Sequence, residues 1–360
     1  MENDQKTNEN KEKKIVLSGI RATGNLHLGN YYGALSKFVR MQEDYDCRFF
    51  IADIHALTTH PDPKMLHENV KDILAEYLAA GLDPEKNVIY VQSDVPEISE
   101  MYLLMNMHVG IGELMRTASF KDKARKALGI NSDNDDIEKD IIGNQTNQRV
   151  NAGLLTYPTL MAVDILIHKA DFVPVGKDQE QHLELTRRFA SRFNNFYKTD
   201  YFGKPVNFNF GGDAVKVPGL DGSGKMGKSE GNCIYLIDDE KVLRKKVMRA
   251  VTDEGPKEPN QPISQPVQNL LTLMDLVSGK EVADQYRAAY ADCSIRYGDM
   301  KKQLAEDILK VTLPIRERIL DIRSNDEYLS KVVRRGAEQA RAYAADTLRD
   351  VREIMGIRKF

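Results

Sequence analysis

Between residues 15 and 92 the chain alternates short apolar runs with helix-length segments: "IVLSGI", "NYYGALSKFVRMQ", "CRFFIAD", "KMLHENVKDILAEYLAAG", the turn "LDPEK", then "NVIYVQS". Strands separated in this way by helices cannot pair as hairpins, so each helix carries the chain back across a sheet whose strands run parallel. The pattern predicts half of a doubly wound α/β sheet, which binds ligands beyond the carboxyl ends of its strands. His27 and Asn30 follow the first strand, and Asp53 and His55 follow the second. Two strand ends therefore converge on one crevice.

At 360 residues the chain exceeds what a single core usually fills, which predicts a second domain. After about residue 97 the pattern turns helical and Met-rich, and residues 128 to 151, crowded with Asn and Asp, read as a surface excursion. The helix-length "TYPTLMAVDILIHKA", the strand "DFVPV" and the corner "GKDQEQHLELTRRFASRFNN" then resume the sheet. Past the Pro-rich 256 to 266 the pattern is helical to the end, which places an all-helical domain at 246–360. The α/β domain spans 15–245, with a helical insertion at about 97–170.

Composition removes several function classes. No apolar run reaches the roughly 18 residues that a membrane span needs. Residues 1–14 lack both the apolar core of a signal peptide and the acid-poor character of a transit peptide, so they read as a solvated tail and the expected location is cytoplasmic. Three cysteines, Cys47, Cys233 and Cys293, stand too far apart for a metal knuckle or a redox pair, and no metal site is expected. The net charge of −3 argues against a general polyanion binder, although residues 301–360 carry 14 Lys plus Arg against 10 Asp plus Glu. That local excess permits nucleic-acid contact and equally suits a solvated helical surface.

Three stretches carry chemistry. "GNLHLGNYYGAL" puts His27, Gly29 and Asn30 at a helix mouth, where unpaired N–H groups and the positive dipole end favour an anion. Gly19, Gly24 and Gly29 do not fit G-x-G-x-x-G and no G-K-[ST] follows, so the commonest phosphate cradles are excluded. "GSGKMGKSEGN" sets Lys225 and Lys228 between glycines, a mobile phosphate clamp or a solvated loop. In "LLTYPTLMAVDILIHKA", Tyr157, Met161 and Asp164 recur on one helix face. A carboxylate in so apolar a run must meet a cation, backbone donors or a ligand N–H.

In order, the H-L-G-N and K-M-G-K-S stretches resemble the H-I-G-H and K-M-S-K-S signatures of class I aminoacyl-tRNA synthetases, whose catalytic domain is Rossmann-like. "SGIRATGNLHLGNYYGAL", "ADIHALT", "IGELMRTASFKDK", "AGLLTYPTLMAVDIL" and "VPVGKDQEQHLELTRRFASRFN", with "KMGKS", narrow the resemblance to the tryptophanyl-tRNA synthetases over most of residues 15 to 235. It implies an indole and amino-acid site made by Leu17, His55, Tyr157, Met161, Asp164, Val173, Val175 and Gln179. It implies ATP contacts at Gly19, Arg21, Gly29, Gly176, Met226, Ser229 and, on the ribose, Asp178. Lys123 would join Lys225 and Lys228 on the phosphates, and His27, Asn30, Lys225 and Lys228 would be the catalytic set. Three positions depart from the expected pattern: Leu17 stands where phenylalanine is expected, Arg21 where glutamine is, and Gly227 where serine is.

The resemblance further implies a reaction. Tryptophan's carboxylate attacks the α-phosphorus of ATP, with Mg²⁺ on the phosphates, and the adenylate then acylates the terminal adenosine of tRNA(Trp). It also implies a homodimer formed through 97–170 and anticodon contacts by the C-terminal helices, with neither membrane nor DNA as partner. A tyrosyl-tRNA synthetase, a small-molecule adenylyltransferase of the same ancestry and a non-catalytic tryptophan sensor are the rival readings.

Overall fold

The computed structural model describes residues 13–129, 150–176, 179–208 and 216–357. Five strands form one parallel sheet in the order β3-β2-β1-β4-β5: β1 (Ile15–Arg21), β2 (Asp46–Ala52), β3 (Val88–Val91), β4 (Phe172–Val173) and β5 (Val206–Asn207). This is the doubly wound order expected from the alternation, with the crevice at the reversal between β1 and β4. Successive residues of a strand face opposite sides. Val16 and Phe49 accordingly enter one hydrophobic core, while Leu17 and Phe50 enter the other.

Helix α1 follows β1 in three pieces: Leu28–Asn30, a π-helical turn at Tyr31–Leu35, and Ser36–Met41. The sequence pattern predicts one regular helix here, and the π turn is a local departure of the kind that gathers at functional sites. Helix α2 (Pro63–Ala80) starts where Asp62 accepts the Lys64 and Met65 N–H groups at 2.9 and 3.1 Å. It ends at Gly81, whose φ of 112° is open to glycine and strained for other residues. The predicted strand "DFVPV" contracts to two residues because Pro174 has no N–H to offer the ladder.

The Met-rich segment resolves into α3 (Pro96–Asn106), α4 (Ile111–Met115) and α5 (Ala118–Leu128), followed by the long α6 (Ala152–Ile167). Most of the Asn/Asp-rich excursion lies outside the described residues. After α7 (Glu180–Tyr197) and the lysine loop come α8 (Glu240–Met248), α9 (Gln265–Val277), α10 (Lys280–Ala291), α11 (Tyr297–Arg323) and α12 (Asp326–Ile354). These C-terminal helices share cores with the sheet. Leu271 and Leu304 join the Val16 side, while Ala340 and Ala344 join the Leu17 side. Among the described residues no helix is long and apolar enough to cross a membrane.

Candidate active site

Between α6 and the Leu17 face of β1 and β2 lies a cavity of about 400 Å³. All eight residues expected around an indole line it: Leu17, His55, Tyr157, Met161, Asp164, Val173, Val175 and Gln179. Gly19, Arg21, Lys123 and Gly176, expected on the nucleotide, line it too. Asp178 lies outside the described residues.

Asp164 is fully buried, and burial pushes its carboxyl above the usual range, opposed by hydrogen bonds from His55 and Gln92. Gln92 Nε2 donates to both carboxylate oxygens at 2.9 Å, and His55 Nε2 sits 3.0 Å from one of them. Gln92 Oε1 in turn accepts the His55 N–H at 3.3 Å. The carboxylate is thus held from the strand ends, since His55 follows β2 and Gln92 follows β3. Asp53 fastens those ends by accepting the Ser93 N–H at 3.0 Å.

A second network starts at Tyr157, whose hydroxyl meets His182 Nε2 at 2.8 Å. The same nitrogen lies 2.8 Å from the Ser119 hydroxyl, and His182 Nδ1 lies 2.8 Å from Gln179 Oε1. Gln92 and His182, the polar supports of these two networks, have no part in the sequence expectations. A glutamine after a strand and a histidine inside an amphipathic helix carry no local signal of a role. Lys123 rests 3.6 Å from the centre of the Tyr157 ring, and burial together with nearby Arg21 lowers its ammonium to about 8. Two guanidinium nitrogens of Arg21 are buried without a hydrogen-bond partner, so this end of the cavity carries positive charge in want of an anion.

Beyond the end of β1, residues 24–30 meet residues 225–236 directly. Leu28 donates to the Ile234 carbonyl at 3.0 Å and Leu236 to the Leu26 carbonyl at 2.9 Å, with His27 and Tyr235 paired as an antiparallel bridge. Lys228 Nζ donates to the Gly24 carbonyl at 2.6 Å. Asn30 Oδ1 accepts the His27 N–H at 3.1 Å, and both oxygens of buried Glu76 lie 3.0 Å from the Leu26 N–H, which fixes the turn from behind. His27 is buried with Nδ1 unpartnered. Burial, then Lys228 and Lys225, lower its pKa to about 4, so the imidazole is neutral. A Cβ on Gly29 would come within 2.8 Å of that ring.

The lysine loop is pinned by Asn232, another residue the sequence reading passed over. Its Oδ1 accepts the Gly227 N–H at 2.9 Å, and its Nδ2 donates to Asp221 at 2.9 Å. Lys225 is exposed and the Met226 side chain is buried in the core. Ser229 donates to Glu230, whose carboxylate occupies the space a side chain at Gly227 would need. Glycine at 227 in place of the expected serine therefore leaves room for that contact. Two broader hollows flank α7, where Glu113 and Glu184 pair with Arg187, Arg188 and Arg192, as Arg192 with Glu113 at 2.6 Å, and basic side chains outnumber acidic ones.

The family model for class I tRNA synthetases (W and Y) matches residues 9–312. A tryptophan–tRNA ligase of Porphyromonas gingivalis is 59% identical over 345 residues, covering 96% of this chain and 100% of that protein. One from Fusobacterium nucleatum is 39% identical over 345 residues, covering 96% and 98%. Among solved structures, tryptophanyl-tRNA synthetase from Campylobacter jejuni complexed with ADP and tryptophan superposes with a TM-score of 0.79 at 31% identity, over 95% of this chain and 99% of that one. A sheet of this order, a cavity set for an aromatic amino acid and a buried histidine beside two lysines agree with those matches: the chain belongs to the class I tRNA synthetases, among the tryptophanyl-tRNA synthetases.

Proposed function

We infer that the chain is a tryptophan–tRNA ligase that converts L-tryptophan and ATP to tryptophanyl-adenylate and pyrophosphate, then passes the tryptophanyl group to tRNA(Trp). The observation that carries this reading is Asp164, a buried carboxylate aimed into an apolar cavity and held by His55 and Gln92. An indole N–H gives that carboxylate a further, charge-assisted donor, whereas phenylalanine offers none and forgoes that bond. Tyr157 and Met161 on the same helix face supply the aromatic and thioether contacts.

The chemistry needs alignment and charge neutralisation rather than a covalent enzyme intermediate. The tryptophan carboxylate attacks the α-phosphorus, the bond to the bridging oxygen breaks, and pyrophosphate leaves. Neutral His27 and Asn30 act as hydrogen-bonding groups beside the α-phosphate, while Arg21, Lys123, Lys225 and Lys228 take the growing negative charge. Gly19, Gly29 and Gly176 let the backbone approach the nucleotide, with Met226 and Ser229 beside it and Asp178 on the ribose. Among the described residues no group of three or more His, Cys, Asp or Glu side chains could hold a metal ion. Mg²⁺ would come with the nucleotide and supply neutralising charge at its phosphates, and no step is assigned to it.

The α/β region binds the small substrates, and the helices of 246–360 take the anticodon. The cytoplasm is the compartment where such a ligase meets its tRNA. A homodimer is supported by an apolar face that a lone chain leaves in water: Leu103, Met107, Ile111 and Phe196 are each more than half exposed, and His108 packs against Phe196. Placing a charge there, as in Ile111→Asp, halves the mass seen in sedimentation if this face is the interface. Pyrophosphate exchange into ATP, run with all twenty amino acids, tests the main reading: tryptophan alone supports exchange. Exchange with tyrosine, or with none, overturns it.

A further inference from the structure

The sheet side of the cavity holds an aromatic residue with no role so far. Leu17 and Gly19 alternate along β1 and face the same side, and Gly19 stands in register with Phe50 on β2. The Phe50 ring reaches across the strand into the space a Gly19 side chain would fill, its nearest atom 2.5 Å from where that Cβ would stand. Any residue but glycine at 19 would push the ring away. Behind it, Tyr90 stacks at 5.7 Å between ring centres with planes 24° apart, which fixes its tilt. Phe50 is 7% exposed, and it lines the cavity on the face that α6 covers. Leu17 beside it is aliphatic, where the resemblance leads one to expect phenylalanine.

We propose that Phe50 is the aromatic wall on which the substrate indole packs, a specificity-determining residue that does from β2 what an aromatic residue at position 17 would do from β1. The proposal rests on the reading of this cavity as the tryptophan site. Asp164 and Phe50 then divide the recognition, one answering the ring N–H and the other the ring area. Phenolic and phenyl side chains fall short on both counts.

The chain contains no tryptophan, so the emission of added L-tryptophan reports binding directly. Phe50→Leu removes the ring at small volume cost, and Phe50→Met does the same with a chain that adapts to the core, should leucine unsettle the fold. Either should raise Kd and exchange KM for tryptophan about tenfold, the scale of a lost aromatic contact. The KM for ATP and kcat should stay within about twofold of the parent. Adding Leu17→Phe to Phe50→Leu should recover most of the lost affinity, which a merely structural phenylalanine would not allow. Unchanged tryptophan affinity in both single variants, or a parallel rise in the KM for ATP, overturns the proposal while the site reading stands. A parent protein that neither binds tryptophan nor exchanges with it overturns both.

Discussion

Asp164 shows how a single side chain links burial to selectivity. Three contacts from His55 and Gln92 hold its oxygens, and replacing one oxygen by an amide nitrogen sets donor against donor. Asp164→Asn should weaken tryptophan binding about a hundredfold, the worth of a charge-assisted hydrogen bond plus the misfit left behind, in a titration of tryptophan emission. Equal affinity would make the carboxylate purely structural. Asp164 was legible in the sequence because a lone acid in an apolar helix cannot be idle. Gln92 was not, because its role exists only where β3 ends beside α6. His27 gives a second test. Its pKa, lowered from 6.5 to about 4, means the folded protein resists its protonation. Its contribution to stability is whole above pH 6.5 and is lost as pH falls from there towards 4. The imidazole is neutral across the working range, so the pH profile of kcat/KM for exchange should show no limb from His27 above pH 5. His27→Gln should lower the rate about a hundredfold with the profile's shape kept. A limb near 6.5 that vanishes in the variant would show that His27 titrates within the working range, against the lowered pKa.

At the scale of elements, the site is a junction between a helix start and a loop nearly two hundred residues later. The sequence pattern located both partners, since strand, turn and helix follow from local periodicity and glycine spacing. It did not reveal the π turn at Tyr31–Leu35, nor the bridge between His27 and Tyr235, which joins segments far apart in the chain. Nor did it foresee that "DFVPV" contributes only Phe172–Val173 to the sheet. The junction has little slack. Gly29 lies under the His27 ring, and a methyl group there would meet the ring at 2.8 Å, so the ring must turn. Gly29→Ala should reduce kcat about tenfold or more, as misplacement of a charge-stabilising group does, while tryptophan affinity stays unchanged. Loss of tryptophan binding in step with kcat would mean that the turn supports the whole cavity rather than the nucleotide end.

For the molecule as a whole, the C-terminal helices read from sequence as an appendage, yet they share the cores of the sheet. Helix α12 buries Gly336, Ala340 and Ala344, spaced four residues apart, and this stripe of small residues brings its backbone close to β3. At Gly336 the approach is so tight that a Cβ would collide with the Ile89 carbonyl, and main chain on a central sheet cannot swing aside as a side chain can. Farther along, the Arg48 guanidinium of β2 lies 3.8 Å from the Tyr343 ring of α12, and Arg341 pairs with Glu97 of α3 at 3.1 Å. Docking of α12 thus sets the height of β3, and Gln92 follows β3 directly. Gly336→Ala should destabilise the protein by about 1–3 kcal/mol or more, as overpacking against rigid neighbours does. It should also weaken tryptophan binding through the displaced Gln92, although the substitution touches no cavity residue. Gly298→Ala on α11 supplies the control, because nothing lies within 4 Å of its new methyl group and the stiffer unfolded chain should favour folding by about 0.5 kcal/mol. Thermal unfolding and tryptophan titration of both variants decide the matter. If Gly336→Ala lowers the melting temperature and leaves tryptophan affinity intact, the helix stabilises the sheet without setting the geometry of the site.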